Sequence, residues 1–392
     1  MTTTLDWNPL DPASIRDPHS VYQELRENFP VYWHAGMSSW VLTRYDDCQT
    51  VLRDYTTFAR DRRRVGVEIP DEKLNIQTQD PPEQALLRGI TAKALNAQRL
   101  RKHCVDARHL MEERLSALAG SGPFDMMGDV AGPAAMQVIN RVFGVDEYTQ
   151  NSYAPIYEGL TQAMDSGLDP KRLAPGRAAG KSLAAEVTSW YERGLGTSGM
   201  FGALYGNADV AQMPRPYVIN TMAATYNAGF STLYASTGAV TMELLGAGLG
   251  DLRELPLPND SALVLATEEL LRYVSPAQAT ARVATTPTEI QGVRIEAGDT
   301  LVTMLAAANR DPRQFKDPDR IVLDRSPNPH LALAWGPHIC LGARLAQAWI
   351  MELITFLVEH GPRLRLIGGE KYMSSATLRN LVSLPVEYDA AS

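Results

Sequence analysis

The chain begins with short, mixed patterns. Apolar residues recur at helical spacing over Tyr22–Asn28, and Val31–Trp33 and Trp40–Thr43 alternate as paired strands do. Tyr45–Tyr55 returns to a helical period. From Pro81 to about Leu118 the pattern is helical, and helical segments punctuated by Pro and Gly continue to about Leu245. Within them Tyr217–Met242 contains no charged residue; Pro214 and Pro216 stand where they can open this long helix, since proline is tolerated in a first turn. The last third differs. Ser261–Tyr273 reads as a helix stopped before Pro276, and Glu289–Met304 alternates around Gly292 and Gly298 as a small hairpin sheet. Asn309–Pro329 is a loop dense in Asp, Arg and Pro, Leu341–Glu359 is again helical, and Leu381–Tyr388 is a terminal strand. The pattern predicts a mainly α fold with small β-sheets, organised around something other than a parallel sheet.

The 392 residues, 45% of them hydrophobic, suffice for a large buried core. Length alone allows two or three domains, but no Gly/Ser- or Pro-rich linker divides the chain, so residues 1–392 are read as a single large domain. The formal net charge of -8 argues against nucleic acid or an anionic membrane as partner, since both select basic surfaces. Tyr217–Met242 is long enough to span a bilayer. It is rich in Ala, Thr, Ser, Gly and Asn, however, so transfer into lipid is weakly driven and a helix buried in protein fits better. Met1–Asp17 is polar, carries Asp6, Asp11 and Asp17, and lacks the pattern of an export signal. Cys48, Cys104 and Cys340 are odd in number and far apart, which sets the expectation of a cytoplasmic protein without disulfides.

The chemistry concentrates in LALAWGPHICLGARLAQ, Leu331–Gln347. Cys340 stands beside glycines at the start of a predicted helix, where backbone N–H groups and the helix dipole favour the thiolate, the form that binds metal. Gly336 and Gly342 let the backbone lie close to a flat ligand. An inert buried cysteine is the ordinary alternative. Zinc is another, since His338 and Cys340 are both ligand types, although no further Cys or His cluster completes four ligands. The run resembles the cysteine loop of cytochromes P-450, Phe-Gly-x-Gly-x-His-x-Cys-x-Gly, with Gly336, His338, Cys340 and Gly342 in register. Leu333 stands where that family has Phe and Ala334 where it has Gly, differences that bear on the packing and redox tuning of the thiolate side.

Further segments extend the resemblance over nearly the whole chain, from Pro18-His19 to the terminal SLPVEY. Glu269 and Arg272 lie at i, i+3 on one helical face, where side chains meet; alone they would be a surface ion pair of little consequence. They form the sole Glu-x-x-Arg of the sequence, 68 residues before Cys340. The family's counterpart is a buried structural pair completed by an Arg in the following loop, here Arg325, and Ala308–Arg325 resembles that loop throughout. DPPEQALLR, Asp80–Arg88, resembles the helix start that crosses the haem edge, with Gln84 where His is commoner. Two propionates on a buried macrocycle demand cations; the resemblance assigns Arg88, Arg282 and His338. NAGFSTLYAST, Asn227–Thr237, resembles the distal oxygen-binding segment Ala-Gly-x-Asp/Glu-Thr. Ala228, Gly229 and Thr232 match, and Ser231 replaces the acid. A small-residue helix packed closely on its neighbours would explain the Ala and Gly equally well.

The resemblance implies a cytochrome P-450 monooxygenase with haem b buried between the long distal helix and the cysteine loop. Cys340 would ligate the iron and Gly229 would lie against the cofactor. O2 would be activated with electrons from NAD(P)H, delivered through a ferredoxin and ferredoxin reductase. Thr232 would hold bound oxygen and relay a proton, with Ser231 and ordered water, or a polar group of the substrate, replacing the missing acid. A reaction needing fewer protons, such as oxidative coupling or dehydrogenation, is the alternative. By the same resemblance the pocket is formed by Val65–Gln79, the stretch around Leu160–Gly176, Tyr226–Phe230, Ala277–Thr280 and Ala376–Leu378. Substrate contacts are expected at Asn75, Gln77, Asn227, Phe230, Gln278, Thr280 and Thr377. Buried amides must be paired, which favours a small polar substrate, aromatic or amino-acid-derived, over a plain fatty chain. Haem peroxygenases of the family carry an Arg in the distal helix, which Tyr217–Met242 lacks, and a haem gas sensor would show no turnover.

Overall fold

The computed structural model describes residue 5 and residues 7–145, 148–193, 198–246 and 259–389. Its first helices are α1 Pro12–Arg16, α2 His19–Asn28, α3 Tyr45–Arg53, α4 Ala85–Asn96, α5 Leu100–Leu118, α6 Gly132–Phe143 and α7 Gln150–Ala163. They continue with α8 Leu173–Glu192, α9 Gly199–Tyr205, α10 Arg215–Gly246, α11 Asp260–Val274, α12 Leu305–Ala308 and α13 Ala343–His360. The uncharged stretch lies within α10. Apolar side chains surround that helix instead of forming one stripe, so it is stable only inside the protein, and Val218, Met222, Tyr226, Leu233 and Val240 are buried on its several faces. No described helix is long and apolar enough to cross a membrane. Trp349 of α13 donates its indole N–H to Leu233 O at 3.2 Å and Thr237 Oγ1 at 3.0 Å, which fixes the helix following the cysteine loop to α10.

The sheets are small. β1 Val31–His34, β2 Ser39–Leu42, β3 Phe58–Ala59, β5 Ala279–Ala284 and β8 Thr300–Met304 form one of five strands in the order β1-β2-β8-β5-β3. β4 Phe124–Asp125, β12 Pro385–Tyr388 and β9 Leu364–Leu366 form a second, and β10 Lys371–Tyr372 pairs with β11 Leu381–Ser383. The predicted hairpin of residues 289–304 therefore divides. β6 Thr288–Ile290 and β7 Val293–Ile295 close on Gln291 and Gly292, both at positive φ (52° and 77°) as a tight hairpin turn requires, while β8 crosses to the large sheet. The predicted terminal strand likewise splits at Leu384 into β11 and β12, in different sheets. The predicted run from Pro81 breaks at Ala97–Arg99, where neither Gly nor Pro marks the boundary.

One buried ion-pair network ties α11 to the loop that precedes the cysteine. Glu269 and Arg272 are both fully buried. The Glu269 carboxylate accepts from Arg272 Nε and Nη2, each at 2.8 Å, from Arg325 Nε at 2.9 Å, from Val322 N at 2.8 Å and from Asn328 Nδ2 at 3.2 Å. Arg272 spends its remaining N–H groups on the carbonyls of Asn309 (2.7 Å), Pro318 (2.8 Å) and Arg320 (3.1 Å), so all five of its donors are satisfied. Burial alone would raise the Glu269 carboxyl; the Arg272, Val322 and Arg325 donors outweigh it and hold the carboxyl below its ordinary range.

Candidate functional site

The cysteine loop is shaped by two backbone conformations. Gly336 has φ 73°, and a Cβ there would stand 2.5 Å from Leu52 O, so only glycine fits between the loop and α3. Ala334 also has a positive φ, 57°, in the position where the resemblance places a glycine; a side chain pays strain there. Arg53 lies over the Trp335 ring at 4.4 Å, and Cys340 N donates to Leu333 O at 2.8 Å. Cys340 is accessible from a cavity yet lies deep in the protein. Helix α13 begins at Ala343, just beyond Cys340. Burial pushes the thiol up, against the pull of the Gly342 N–H and the Arg88 charge.

The cavity, about 1720 Å³, separates this loop from α10. It exceeds the roughly 300–1,000 Å³ of an ordinary ligand site and has room for a macrocycle together with a substrate. Asn227, Ala228, Ser231 and Thr232 line it on the α10 side. Both hydroxyls donate to the same carbonyl, Ala228 O, at 2.7 Å from Thr232 and 3.4 Å from Ser231. Gly229 also lines the cavity, and a Cβ there would meet Ile139 Cδ1 at 2.6 Å, so close packing of α10 on α6 requires the glycine as well. One expectation for this helix is corrected. Phe230 is not part of the lining. The helical period turns it away, and it stacks on Tyr234 (centroids 5.6 Å) within a cluster that includes Tyr153 and Tyr157.

Cationic groups gather at one edge of the cavity. Arg88 donates to Ile339 O. Arg282 is buried; its Nη1 reaches Ala281 O at 2.8 Å, its Nη2 has no partner among the described residues, and burial, reinforced by the nearby Arg60 charge, pushes its guanidinium down to about 9. His338 Nε2 is engaged by Asp80 Oδ1 at 2.7 Å, which commits one ring nitrogen that the sequence left free. Burial lowers the His338 ring and would raise Asp80, but the His338 bond and the Asp61 and Arg60 N–H groups leave the Asp80 carboxyl below its usual range. Gln84 is buried with neither amide atom partnered.

The expected substrate contacts sort by how much of each side chain is already spent. Asn75, Gln77, Asn227, Gln278, Thr280 and Thr377 all line the cavity. Asn227 Oδ1 accepts from Tyr153 at 2.9 Å, and Asn75 Oδ1 closes a turn on Gln77 N at 2.8 Å. Gln278 is a framework residue: Tyr22 donates to its Oε1 at 3.1 Å and its Nε2 donates to Ser275 O at 2.6 Å. Thr280 Oγ1 accepts from Arg60 Nη1 at 2.5 Å. Thr377 belongs to a knot that the sequence did not reveal. Buried Asp165, just beyond α7, accepts from Ser375 Oγ (2.7 Å), Ala376 N (3.0 Å), Thr377 N (3.0 Å) and Thr377 Oγ1 (2.7 Å). Arg172 adds Ser374 O at 2.5 Å and Ser374 Oγ at 2.8 Å. Arg60, Asp80 and Asp165 are thus site residues missed as such. Asp80 had a signal, standing at the head of the Asp-Pro-Pro motif; the other two had none.

A thiol at the cavity wall and two guanidiniums at its edge, one with a nitrogen that has no partner among the described residues, fit an iron porphyrin with two carboxylates. Facing a long internal helix, they define the haem-thiolate class of protein. The family model for cytochrome P450 matches residues 261–360. The chain is 30% identical to nocardicin C N-oxygenase of Nocardia uniformis subsp. tsuyamanensis, over 96% of this chain and 97% of that protein. It is 28% identical to 6-deoxyerythronolide B hydroxylase of Saccharopolyspora erythraea, covering 99% of this chain and 100% of the other. The structure of P450BioI in complex with hexadec-9Z-enoic acid ligated acyl carrier protein superposes with a TM-score of 0.83 at 26% identity, over 96% of this chain and 100% of that one. The chain belongs to the cytochrome P450 family, and its activity is that of a P450 monooxygenase.

Proposed function

We propose that Cys340 binds the iron of a haem b as thiolate, that Arg88 and Arg282 pair with its propionates, and that the substrate is a small polar natural product, aromatic or amino-acid-derived. The observation that carries the assignment is the position of Cys340 and Arg282, with its unpartnered Nη2, on the wall of one cavity that also presents Thr232. Bound haem supplies the activation of O2 by two electrons. The protein's part is positional. His338, held by Asp80, would keep the side of the cavity that takes the propionates polar, and α10 lines the cavity opposite the cysteine loop. Thr232 holds its own proton toward Ala228 O, which leaves its oxygen free to accept a hydrogen bond at the distal side. Ser231, bonded more weakly at 3.4 Å, is the group that turns most readily toward water or substrate and passes a proton on.

Asn75, Gln77, Asn227 and Thr280 supply polar contacts to the substrate. The relatives support a biosynthetic role, since their names record N-oxygenation of nocardicin C and hydroxylation of 6-deoxyerythronolide B. Electrons come from NAD(P)H through a ferredoxin and its reductase, docking on the cysteine side near Arg88 and Arg344. One observation favours a second reading, oxidative coupling or dehydrogenation: α10 presents a serine beside Thr232 where proton delivery calls for an acid. The test is a compound panel screened by shift of the Soret band, followed by turnover of the best binder with surrogate ferredoxin and reductase. Oxidised product, formed at a rate that falls with added salt, is expected. Ligand binding without NADPH-dependent product would overturn the proposal.

A further inference from the structure

The cavity wall carries more positive charge than haem can balance. Arg60, just after β3, is fixed from two sides: its Nε donates to Gln77 O at 2.9 Å and its Nη1 to Thr280 Oγ1 at 2.5 Å. Its Nη2 bonds to no described residue, and no described carboxylate lies within ion-pair distance of the guanidinium. Asp80, the acid acting on it from nearby, is committed to His338 Nε2 at 2.7 Å and to the backbone N–H groups of Arg60 and Asp61, both at 3.0 Å. Asp165 is the single acid among the described lining residues, and four hydrogen bonds from residues 375–377 saturate it. The lining adds half-buried Arg379, spent on Ile15 O, Arg16 O and the Tyr372 hydroxyl, and toward solvent Arg62, Lys73, Arg177 and Lys181, all exposed; none of the five is in an ion pair among the described residues.

The balance rests on the haem assignment above. Arg88 and Arg282 answer two propionates, and Asp80 acts on Arg60 only from a distance, its oxygens taken by His338, two backbone N–H groups and Arg64 at 3.6 Å, which leaves the Nη2 side of Arg60 without a direct carboxylate partner. Burial lowers its guanidinium, the direction expected of a desolvated cation with no adequate partner. We propose that the substrate itself supplies the anion: this P450 selects small molecules bearing a carboxylate, which Arg60 binds through its Nη2 side next to Thr280. A guanidinium suits a planar oxyanion, and two of its nitrogens are already pinned, so little side-chain freedom is lost on binding. Lys73, Arg177 and Lys181 at the rim attract the same charge over longer range.

A series of ω-imidazolyl alkanoic acids of graded length, with their primary amides, reads this directly. The azole anchors every probe to the iron and gives each a measurable Soret shift. At the length that spans iron to Arg60 the acid should bind at least about tenfold more tightly than its amide, equivalent to about 1.4 kcal/mol. Arg60→Gln should erase that preference while haem content, reduction potential and amide affinity stay as in the wild type. Equal affinities of acid and amide at every length would overturn the proposal, as would an acid preference that survives Arg60→Gln. Loss of haem or a shifted potential in Arg60→Gln would place Arg60 on a propionate instead, and also overturn it. A wild-type protein whose reduced carbonyl complex lacks the red-shifted Soret band would refute the haem-thiolate assignment itself, and this proposal with it.

Discussion

Replacing Glu269 by Gln probes how the loop that leads to the cysteine is held. The carboxylate takes five hydrogen bonds from four residues, two of them arginines, with no exposure to solvent. Glutamine keeps the shape, removes the charge and turns one acceptor into a donor that must face a guanidinium. Arg272, fully buried, is left an uncompensated cation, and breaking a buried pair in this way costs about 3–5 kcal/mol. An unfolding entropy of roughly 2.1 cal/mol/K per residue gives ~0.8 kcal/mol/K for a chain of 392 residues, so Tm should fall by about 4–6 °C. Haem should be lost with it, because the same arginines grip the carbonyls of Asn309, Lys316, Pro318 and Arg320 in the loop ahead of Cys340. Calorimetry of the haem-loaded protein and the reduced carbonyl spectrum read both effects. The pH dependence adds a sign. Glu269 is held below its ordinary value of 4.5, so its contribution is complete above that value and fades as pH falls through the folded one. The gap between wild type and Glu269→Gln should therefore close in acid. An unchanged Tm at neutral pH, or a gap that persists in strong acid, would refute the reasoning.

Cys340→His should abolish the red-shifted band of the reduced carbonyl complex while haem is retained; an unchanged spectrum would remove Cys340 from the iron. Ala334→Gly relieves a left-handed backbone costing about 1–2 kcal/mol for a side chain, against about 0.5–1 kcal/mol of added chain entropy, so Tm should rise slightly. A lower Tm would show that the Ala334 methyl packs better than the strain costs. Ser231→Glu should alter the ratio of product to NADPH, and Thr232→Ala should raise peroxide release. If neither substitution moves coupling or product distribution, the two hydroxyls serve only the helix.

The mainly α character and the long buried helix were legible because they rest on period and on the absence of charge, both local in sequence. The Cys340 loop and the Glu269–Arg272 pair were legible through their resemblance to the family's motifs, since spacing alone left an inert cysteine and a surface ion pair open. What could not be read depends on which way a side chain turns at fixed spacing. Phe230 and Ser231 are neighbours on α10, yet one faces the aromatic cluster and the other the cavity. Gly229 satisfied two explanations, and the structure keeps both: it lines the cavity and packs within 2.6 Å of Ile139. Gln278 looked available as a buried amide until Tyr22, 256 residues away, was found on it. Such long-range partners leave no local trace.

The Asp165 knot has a consequence for ligand traffic. It joins the turn between α7 and α8, over the cavity, to a segment more than two hundred residues later, and Arg172 doubles the link through Ser374. An outward swing of that turn must carry the 374–377 segment along or surrender hydrogen bonds to a charged acceptor, each worth about 1.5–3 kcal/mol. The two segments of the cavity wall are thereby geared together. Any movement that opens the cavity on this side has to shift both segments at once, with Asp165, itself part of the lining, as the link.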